Sequence, residues 1–278
     1  HVLNDIGLFA GFYEIDIDKY PQPVVVTSID GVGTKLKIAF AMGIHDTVGQ
    51  DLVNHCVNDI MTSGADPVAF TDYIGALQLE PEHVAQIVEG MAIACKQNET
   101  ALIGGESAEM PGFYSEGEYD LAGSIIGLLN RNDMIDGKKV SSGDVLIGLP
   151  SNGLHTNGYS LARKVILEKM KIDLKQIDPE LGAPWGEVLL KVHKSYKNVI
   201  QHVRSIDGVN GISHITGGGI EGNTKRLLGG DLTLSIDWAS WDMPIEFKLI
   251  QKYGNIAIEE MRRAFNIGIG LIFVVSEE

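Results

Sequence analysis

The chain has 278 residues, of which 44% are hydrophobic and 21% charged, a composition typical of a globular protein with room for two domains. Its net charge of −15, without any Lys/Arg run, argues against a nucleic-acid partner. No apolar stretch reaches the length of a membrane span, so no membrane partner is expected. Cys56 and Cys95 form no CxxC motif, and no histidine stands at zinc-ligand spacing, which indicates a reducing, cytoplasmic location without structural zinc.

Strand and helix patterns alternate through the first half of the chain. The predicted strands are 24–29, 68–74, 101–103 and 121–129, and the predicted helices are 48–61 and 82–96. The polar stretch 131–143 contains two turn dipeptides and marks a domain boundary. We therefore expect an α/β (α+β) fold with an N-terminal domain over 1–130 and a C-terminal domain over 143–278.

The predicted helix 48–61 has an unusual polar face. Asp51, His55 and Asp59 follow one another at intervals of four residues, beside Asn54 and Asn58. A merely solvated face would carry more Lys and Glu, so this composition favours contacts with a ligand.

In the second half, a helix is expected to begin near Tyr159. The remaining predicted elements are strands 145–149, 212–215, 232–236 and 269–275, and helices 187–203, 245–253 and 258–265.

A glycine turn at the end of the first strand is the most informative local motif. Gly31 and Gly33 allow backbone N–H groups to approach phosphate oxygens, and Asp30 can hold a bridging Mg²⁺. Thr34 and Lys35 close the turn, and Lys35 supplies a positive charge. The motif matches neither GxxxxGK[ST] nor GxGxxG, so a plain solvent-facing turn is the alternative interpretation.

A second glycine-rich segment, 104–112, follows the short strand 101–103 and is predicted to be a functional loop. Glu106, beside Gly105, can reach a second Mg²⁺ or the ion held by Asp30. The alternative is that Glu106 only caps Ser107 and the following turn.

Two turns in the C-terminal half are candidate anion sites. His155 and Asn157 lie between glycines just before a helix, where an imidazole can neutralise charge or transfer a proton. A purely structural role is the alternative, since a lone histidine more often has one. Gly217 and Gly218 belong to a glycine triplet that precedes another helix, and a tight strand-to-helix turn is an equal alternative there.

Five segments occur in an order that closely resembles the phosphoribosylformylglycinamidine cyclo-ligase (aminoimidazole ribonucleotide synthetase) family. They are 30–35, 45–59, 104–112, 155–160 and 214–219. The resemblance implies a two-domain homodimer in which the N-terminal four-stranded sheets of two subunits form a barrel, with the ATP site in a cleft nearby. It also implies ring closure of formylglycinamidine ribonucleotide, the small-molecule substrate, with release of ADP and phosphate in purine biosynthesis.

On this resemblance, ATP and Mg²⁺ are the expected cofactors. Asp30, Asp59 and Glu106 would hold the metal, and His155, Lys35 and Asp59 would be catalytic. The expected nucleotide contacts are Asp30, Gly31, Gly33, Thr34, Lys35, Asn58, Gly105, Glu106, Asn157, Gly217 and Gly218.

The chain also departs from the family pattern. Family members usually carry Thr-Pro-Thr where this chain has 191–193, and Asn-Ile-Pro-Arg where it has 223–226. The family's N-terminal segment and final elements are not in the sequence, which suggests a truncated chain. Selenophosphate synthetase, thiamine monophosphate kinase and a non-catalytic hydrogenase-maturation scaffold share a looser form of the pattern and are the alternatives.

Overall fold

The computed structural model describes residues 1–277 and divides the chain into two compact units. The first contains residues 1–134 together with 195–202. The second contains residues 135–194 and the described residues from 203 onward. The segment 195–202 thus folds with the N-terminal unit although it lies far along the chain.

The first unit is built on a four-stranded sheet with the order β1-β4-β2-β3. Its strands are β1 (Pro23–Gly31), β2 (Asp66–Ala76), β3 (Ala101–Glu109) and β4 (Tyr119–Asn130). Strand β4 is antiparallel to both neighbours, whereas β2 and β3 are parallel. The helices are α1 (Leu36–Met42), α2 (Asp46–Met61) and α3 (Pro81–Gln97).

Helices α2 and α3 pack very closely because each has a glycine at the crossing. A Cβ at Gly49 would collide with the Ile87 carbonyl, and a Cβ at Gly90 would collide with the Asp46 carbonyl. The apolar stripe of α2, including Leu52 and Cys56, is fully buried. This packing fixes the polar side chains of α2 relative to the sheet.

The predicted loop at 104–112 is wrong for most of its length, because β3 continues through Glu109. Pairing with β2 extends from Ala69↔Ala101 to Ala76↔Glu109, with one register shift near Phe70. Glycines have weak strand propensity, but a neighbouring strand that supplies hydrogen bonds outweighs it.

The second unit contains an antiparallel sheet with the order β5-β9-β8. Its strands are β5 (Val145–Pro150), β8 (Val209–His214) and β9 (Ile269–Val275), and β6 (Ile177–Asp178) pairs with β7 (Ala183–Pro184). Its helices are α4 (Tyr159–Arg163), α5 (Trp185–Leu189), α7 (Gly219–Thr224), α8 (Ile245–Gly254) and α9 (Ile258–Ala264). A π-helical segment, Lys164–Lys169, follows α4 directly.

Two predicted elements of this half are wrong. The helix 187–203 is interrupted, because α5 ends at Leu189 and α6 (Lys197–Val203) begins eight residues later. The segment 232–236 alternates between half-buried and exposed residues, as a strand would, but it forms no ladder in the described chain. Among the described residues, no helix is both long and apolar enough to cross a membrane.

Candidate functional site

Asp30 lies near the end of β1, where the strand enters the glycine turn. Its Oδ1 accepts a hydrogen bond from the Gly31 N–H at 2.7 Å, and its Oδ2 lies 2.9 Å from Nε2 of His55 on α2. The Asp30 side chain keeps 40% of its surface exposed. The carboxylate is therefore oriented by two partners and still accessible to a ligand.

His55 joins two carboxylates. Its Nε2 lies 3.8 Å from Oδ2 of Asp59, one helical turn further along α2, and the Asp59 side chain is 27% exposed. Burial lowers the pKa of His55, but the hydrogen bond to Asp30 and the charges of Asp59, Asp30 and Asp51 outweigh burial, so the net shift is upward. A protonated His55 would hold both carboxylates in place.

The turn itself exposes Gly33 and Thr34, which begin a short 3₁₀ segment ending at Lys35. Gly33 has a φ of +67°, and a Cβ there would meet nothing within 4 Å. The turn therefore has an open backbone surface of the kind that the sequence predicted for phosphate contacts.

Lys35, by contrast, points into the interior. Its Nζ lies 2.9 and 2.8 Å from the two carboxylate oxygens of Asp51, and both side chains are fully buried. Burial lowers the pKa of Lys35, and the Asp51 carboxylate opposes that shift. The structure thus shows an internal ion pair at this position, and a direct contact between Lys35 and phosphate stays a prediction.

Much of the polar face of α2 is buried within the first unit. The Asn58 Oδ1 accepts a hydrogen bond from the Tyr196 N–H at 2.8 Å, and the Asn54 Oδ1 accepts one from Asn98 at 2.7 Å. Ser195 donates in turn to Asn98 at 2.6 Å. These contacts attach the segment 195–202 to α2. The predicted contact between Asn58 and a nucleotide stays a prediction.

Sequence reasoning missed Asp72, which lies in the middle of the sheet. Asp30 pairs with Gly123 of β4, Gly123 with Asp72 of β2, and Asp72 with Gly105 of β3, so these positions form one row across the sheet. A Cβ at Gly105 would collide with the Asp72 carboxylate. Burial raises the pKa of Asp72 to about 6. An aspartate inside the otherwise apolar run 68–74 was the available signal.

Glu106 lies on β3 and is exposed. Its Oε1 accepts a hydrogen bond from the Ser107 N–H at 2.8 Å, which agrees with the capping alternative. Because side chains alternate along a strand, Glu106 faces the side of the sheet opposite to the row of Asp30 and Asp72. The register thus places Asp30 and Glu106 on opposite faces of the sheet, and metal binding at Glu106 stays a prediction.

In the second unit, His155 follows β5 in a turn and is buried. Its φ is +63°, a conformation that non-glycine residues seldom adopt. Its ring stacks on His193, with centroids 4.1 Å apart and planes inclined by 18°. His193 Nε2 lies 3.0 Å from His214 Nε2, and its Nδ1 lies 3.3 Å from the Thr156 hydroxyl. No motif or spacing in the sequence connects these three histidines.

The glycine triplet forms a tight turn before α7. Asn223 donates hydrogen bonds to the carbonyls of Gly219, Thr216 and Gly217 at 2.9, 3.2 and 3.3 Å. A Cβ at Gly217 would lie 3.3 Å from Oδ1 of Asn157. Two predicted nucleotide-binding segments are therefore neighbours within this unit, although the internal hydrogen bonds also fit the alternative of a structural turn.

Comparison with known proteins decides the family. The sequence model of the AIR synthase related protein N-terminal domain matches residues 12–129, and that of the C-terminal domain matches residues 141–278. This chain belongs to the AIR synthase related family. The family match agrees with the resemblance that the five ordered motifs indicated.

The similarity of this chain to curated AIR synthase family proteins covers its full length. A phosphoribosylformylglycinamidine cyclo-ligase from Desulfitobacterium hafniense is 48% identical over 277 residues, covering 100% of this chain and 81% of that protein. The enzyme of the same name from Myxococcus xanthus is 49% identical over 278 residues, covering 100% of this chain and 80% of its own.

Solved structures share the fold of this AIR synthase family chain at low identity. Thiamine monophosphate kinase from Aquifex aeolicus has a TM-score of 0.59 at 16% identity, with 92% of this chain and 80% of that chain covered. The hydrogenase maturation protein HypE has a TM-score of 0.64 at 13% identity, with 100% and 78% covered. Another structure of the kinase contains AMPPCP and TMP, and another structure of HypE contains ATP. At such identities the likeness concerns the fold alone.

Proposed function

We propose that this chain closes the imidazole ring of formylglycinamidine ribonucleotide, consuming ATP and releasing ADP and phosphate. The observation that carries the proposal is 48% identity to enzymes named for this reaction over essentially the whole chain. Both units match domains of that family. The distant kinase and maturation-protein structures support only the shared fold.

The reaction has one chemical difficulty, which is that an amide-like oxygen cannot leave as oxide. In the proposed sequence, this oxygen attacks the γ-phosphorus of ATP and ADP departs. The ribosyl nitrogen of the amidine then attacks the activated carbon, the C–O bond breaks, and phosphate leaves as the nitrogen loses a proton. The enzyme's main task is to hold these groups together and to balance the phosphate charge.

Asp30 and Asp59 are the proposed Mg²⁺ ligands. Both carboxylates are partly exposed, and hard oxygen donors suit this ion. His55 lies between them at 2.9 and 3.8 Å and would fix their orientation. When bound, the ion would neutralise triphosphate charge. The exposed turn at Gly33 and Thr34 follows Asp30 directly and is proposed to contact the same phosphates.

His155 is proposed to donate a hydrogen bond to the phosphoryl group as charge develops. Its left-handed backbone supports this role, because a strained residue costs on the order of 1–3 kcal/mol and such strain is concentrated at functional sites. Lys35 is proposed to contribute positive charge close to the phosphates. Its buried ion pair with Asp51 would at the same time support the glycine turn from below.

A homodimer is also proposed, in the cytoplasm. Alternate residues of β1 expose apolar surface on the outer face of the sheet: Val25 is 59% exposed and Ile29 71% exposed, and Ile126 of β4 is 37% exposed. Thr27 of β1 pairs with Ile126, which places these side chains on one face. Burying this face against a second copy would remove an apolar patch from water.

A coupled ADP-release assay tests the reaction. Purified protein is supplied with ATP, Mg²⁺ and one of three substrates: formylglycinamidine ribonucleotide, thiamine phosphate or selenide. We expect ADP only with the ribonucleotide, in equal amount to the aminoimidazole product measured by mass spectrometry. ATP consumption with thiamine phosphate or with selenide, and none with the ribonucleotide, would contradict the proposal and would point to the alternative activity.

A further inference from the structure

Three histidines far apart in sequence meet inside the second unit. His155 lies in the turn after β5, His193 lies between α5 and α6, and His214 ends β8. They are only 2%, 0% and 5% exposed, and one ring nitrogen from each lies within 4.8 Å of the others. We propose that this three-histidine cluster binds one divalent transition-metal ion of the zinc class.

The distances are close to those that such an ion needs. His193 Nε2 and His214 Nε2 are 3.0 Å apart. At a Zn–N distance of about 2.0–2.1 Å, two nitrogens of a tetrahedral site lie about 3.3–3.4 Å apart. The pair therefore has to separate by only about 0.3–0.4 Å. One ring nitrogen of His155 already lies within 4.8 Å of the other two, and the ring has to turn out of its stack on His193 to point at the same ion.

The surroundings of His193 favour the correct tautomer. A metal on Nε2 requires the proton of the neutral ring to lie on Nδ1. The Thr156 hydroxyl lies 3.3 Å from that Nδ1 and can accept its hydrogen bond. Metal binding would thus replace the His193–His214 hydrogen bond and keep the contact with Thr156. Such outer partners are a regular feature of histidine metal sites.

The donor atoms decide the class of ion. Imidazole nitrogens suit Zn²⁺, Co²⁺, Ni²⁺ and Cu²⁺, whereas Mg²⁺ prefers oxygen ligands. This cluster is therefore chemically distinct from the carboxylates Asp30 and Asp59, which are proposed for Mg²⁺. Three protein ligands also leave a fourth position for water or another ligand.

One consequence rests on the proposed function. An ion bound to His155 would occupy a ring nitrogen that the proposed reaction needs for the phosphoryl group. The metal-loaded chain should therefore close the ring more slowly, and a chelator should restore the rate. This consequence can fail without affecting the metal site itself, because binding is measured without substrate.

The test uses the full chain, freed of metal, and titrates Zn²⁺ by calorimetry and Co²⁺ by visible absorption. We expect one equivalent per chain and the d–d bands of tetrahedral Co²⁺. His193→Asn keeps a polar atom facing Thr156 but removes the Nε2 ligand, and it should weaken binding more than about 100-fold, since even loss of an outer partner costs about 10- to 100-fold. His202, which is exposed on α6, gives the matched control His202→Asn.

Absence of stoichiometric binding in the wild-type chain would overturn the site, and so would equal binding by wild type and His193→Asn. A thermal melt of the wild type with and without Zn²⁺ covers the case in which the variant fails to fold, because an ion that binds only the folded state must raise Tm. An unchanged Tm at saturating Zn²⁺ would count against the site.

Discussion

Asp51→Asn removes the charge that neutralises Lys35 beneath the glycine turn. Both side chains are fully buried, with Nζ 2.8 and 2.9 Å from the carboxylate oxygens. Without the carboxylate, the folded chain holds a lone buried cation or a neutral amine. Deprotonating an ordinary lysine at pH 7 costs about 4.6 kcal/mol, at about 1.36 kcal/mol per pKa unit. Since loss of one partner of a buried ion pair costs about 3–5 kcal/mol, we expect the free energy of unfolding to fall by that amount.

The loss of unfolding free energy caused by Asp51→Asn should decrease as the pH rises. Burial lowers the pKa of Lys35 in the folded chain, and removal of Asp51 lowers it further. The unfolded state then binds more protons, so stability increases with pH up to the ordinary lysine pKa of about 10.4. The difference between variant and wild type should shrink by up to about 1.36 kcal/mol per pH unit.

Urea titrations at pH 7, 8 and 9, followed by circular dichroism, measure this difference. All three tryptophans lie in the second unit, so their fluorescence shows separately whether that unit is affected. Glu118→Gln is a matched control, because it removes the partner of Lys37 from a half-exposed ion pair and should cost less than about 1 kcal/mol. A loss for Asp51→Asn below about 1 kcal/mol, or one that does not change with pH, would refute the reasoning.

Four further outcomes are expected. Asp30→Asn should remove most ADP release while leaving the circular dichroism spectrum unchanged; wild-type turnover would rule out its metal role. His155→Ala should lower kcat by about 10²–10³-fold, and a normal kcat would make His155 a structural residue. His155→Gly should be equally inactive, but its free energy of unfolding should be about 1 kcal/mol higher than that of the Ala variant, because glycine tolerates the φ of +63° at this position. Gly90→Ala should lower the urea midpoint strongly, whereas Gly104→Ala, with open space at its Cβ, should not; equal midpoints would contradict the helix crossing. Ile29→Lys should convert a dimer into a monomer in light scattering, and a monomeric wild type would exclude the proposed dimer.

The sequence determined the helices and strands whose apolar residues recur with a single regular spacing, helical or extended. The strands at 24–29, 68–74 and 121–129 and the helices at 48–61 and 82–96 all appear within a few residues of their predicted bounds. Each combines a clear apolar pattern with turn residues at its ends, so local and tertiary preferences agree. The ordered glycine motifs were equally visible, because their spacing along the chain carries the family resemblance.

Elements that depend on a distant partner could not be predicted in this way. Residues 104–109 are a strand because β2 lies beside them, and the segment 232–236 has strand-like alternation but no strand partner in the described part of the chain. The break between α5 and α6 lets residues 195–202 contact Asn58 and Asn98, more than 90 residues earlier in the chain. Tertiary hydrogen bonds decide all three cases: they are present at 104–109 and 195–202, and a strand ladder is missing from 232–236 among the described residues.

The candidate sites show the same division. The sequence identified Asp30, Lys35 and His155 by their glycine-rich surroundings. Only the folded chain pairs Lys35 with Asp51 and Asp30 with His55. It also brings His155, His193 and His214 together. Metal-ligand spacing was absent from the sequence because these three residues lie on separate loops and strands. Their convergence depends on how β5 and β8 both pair with β9, a relation that no local pattern encodes.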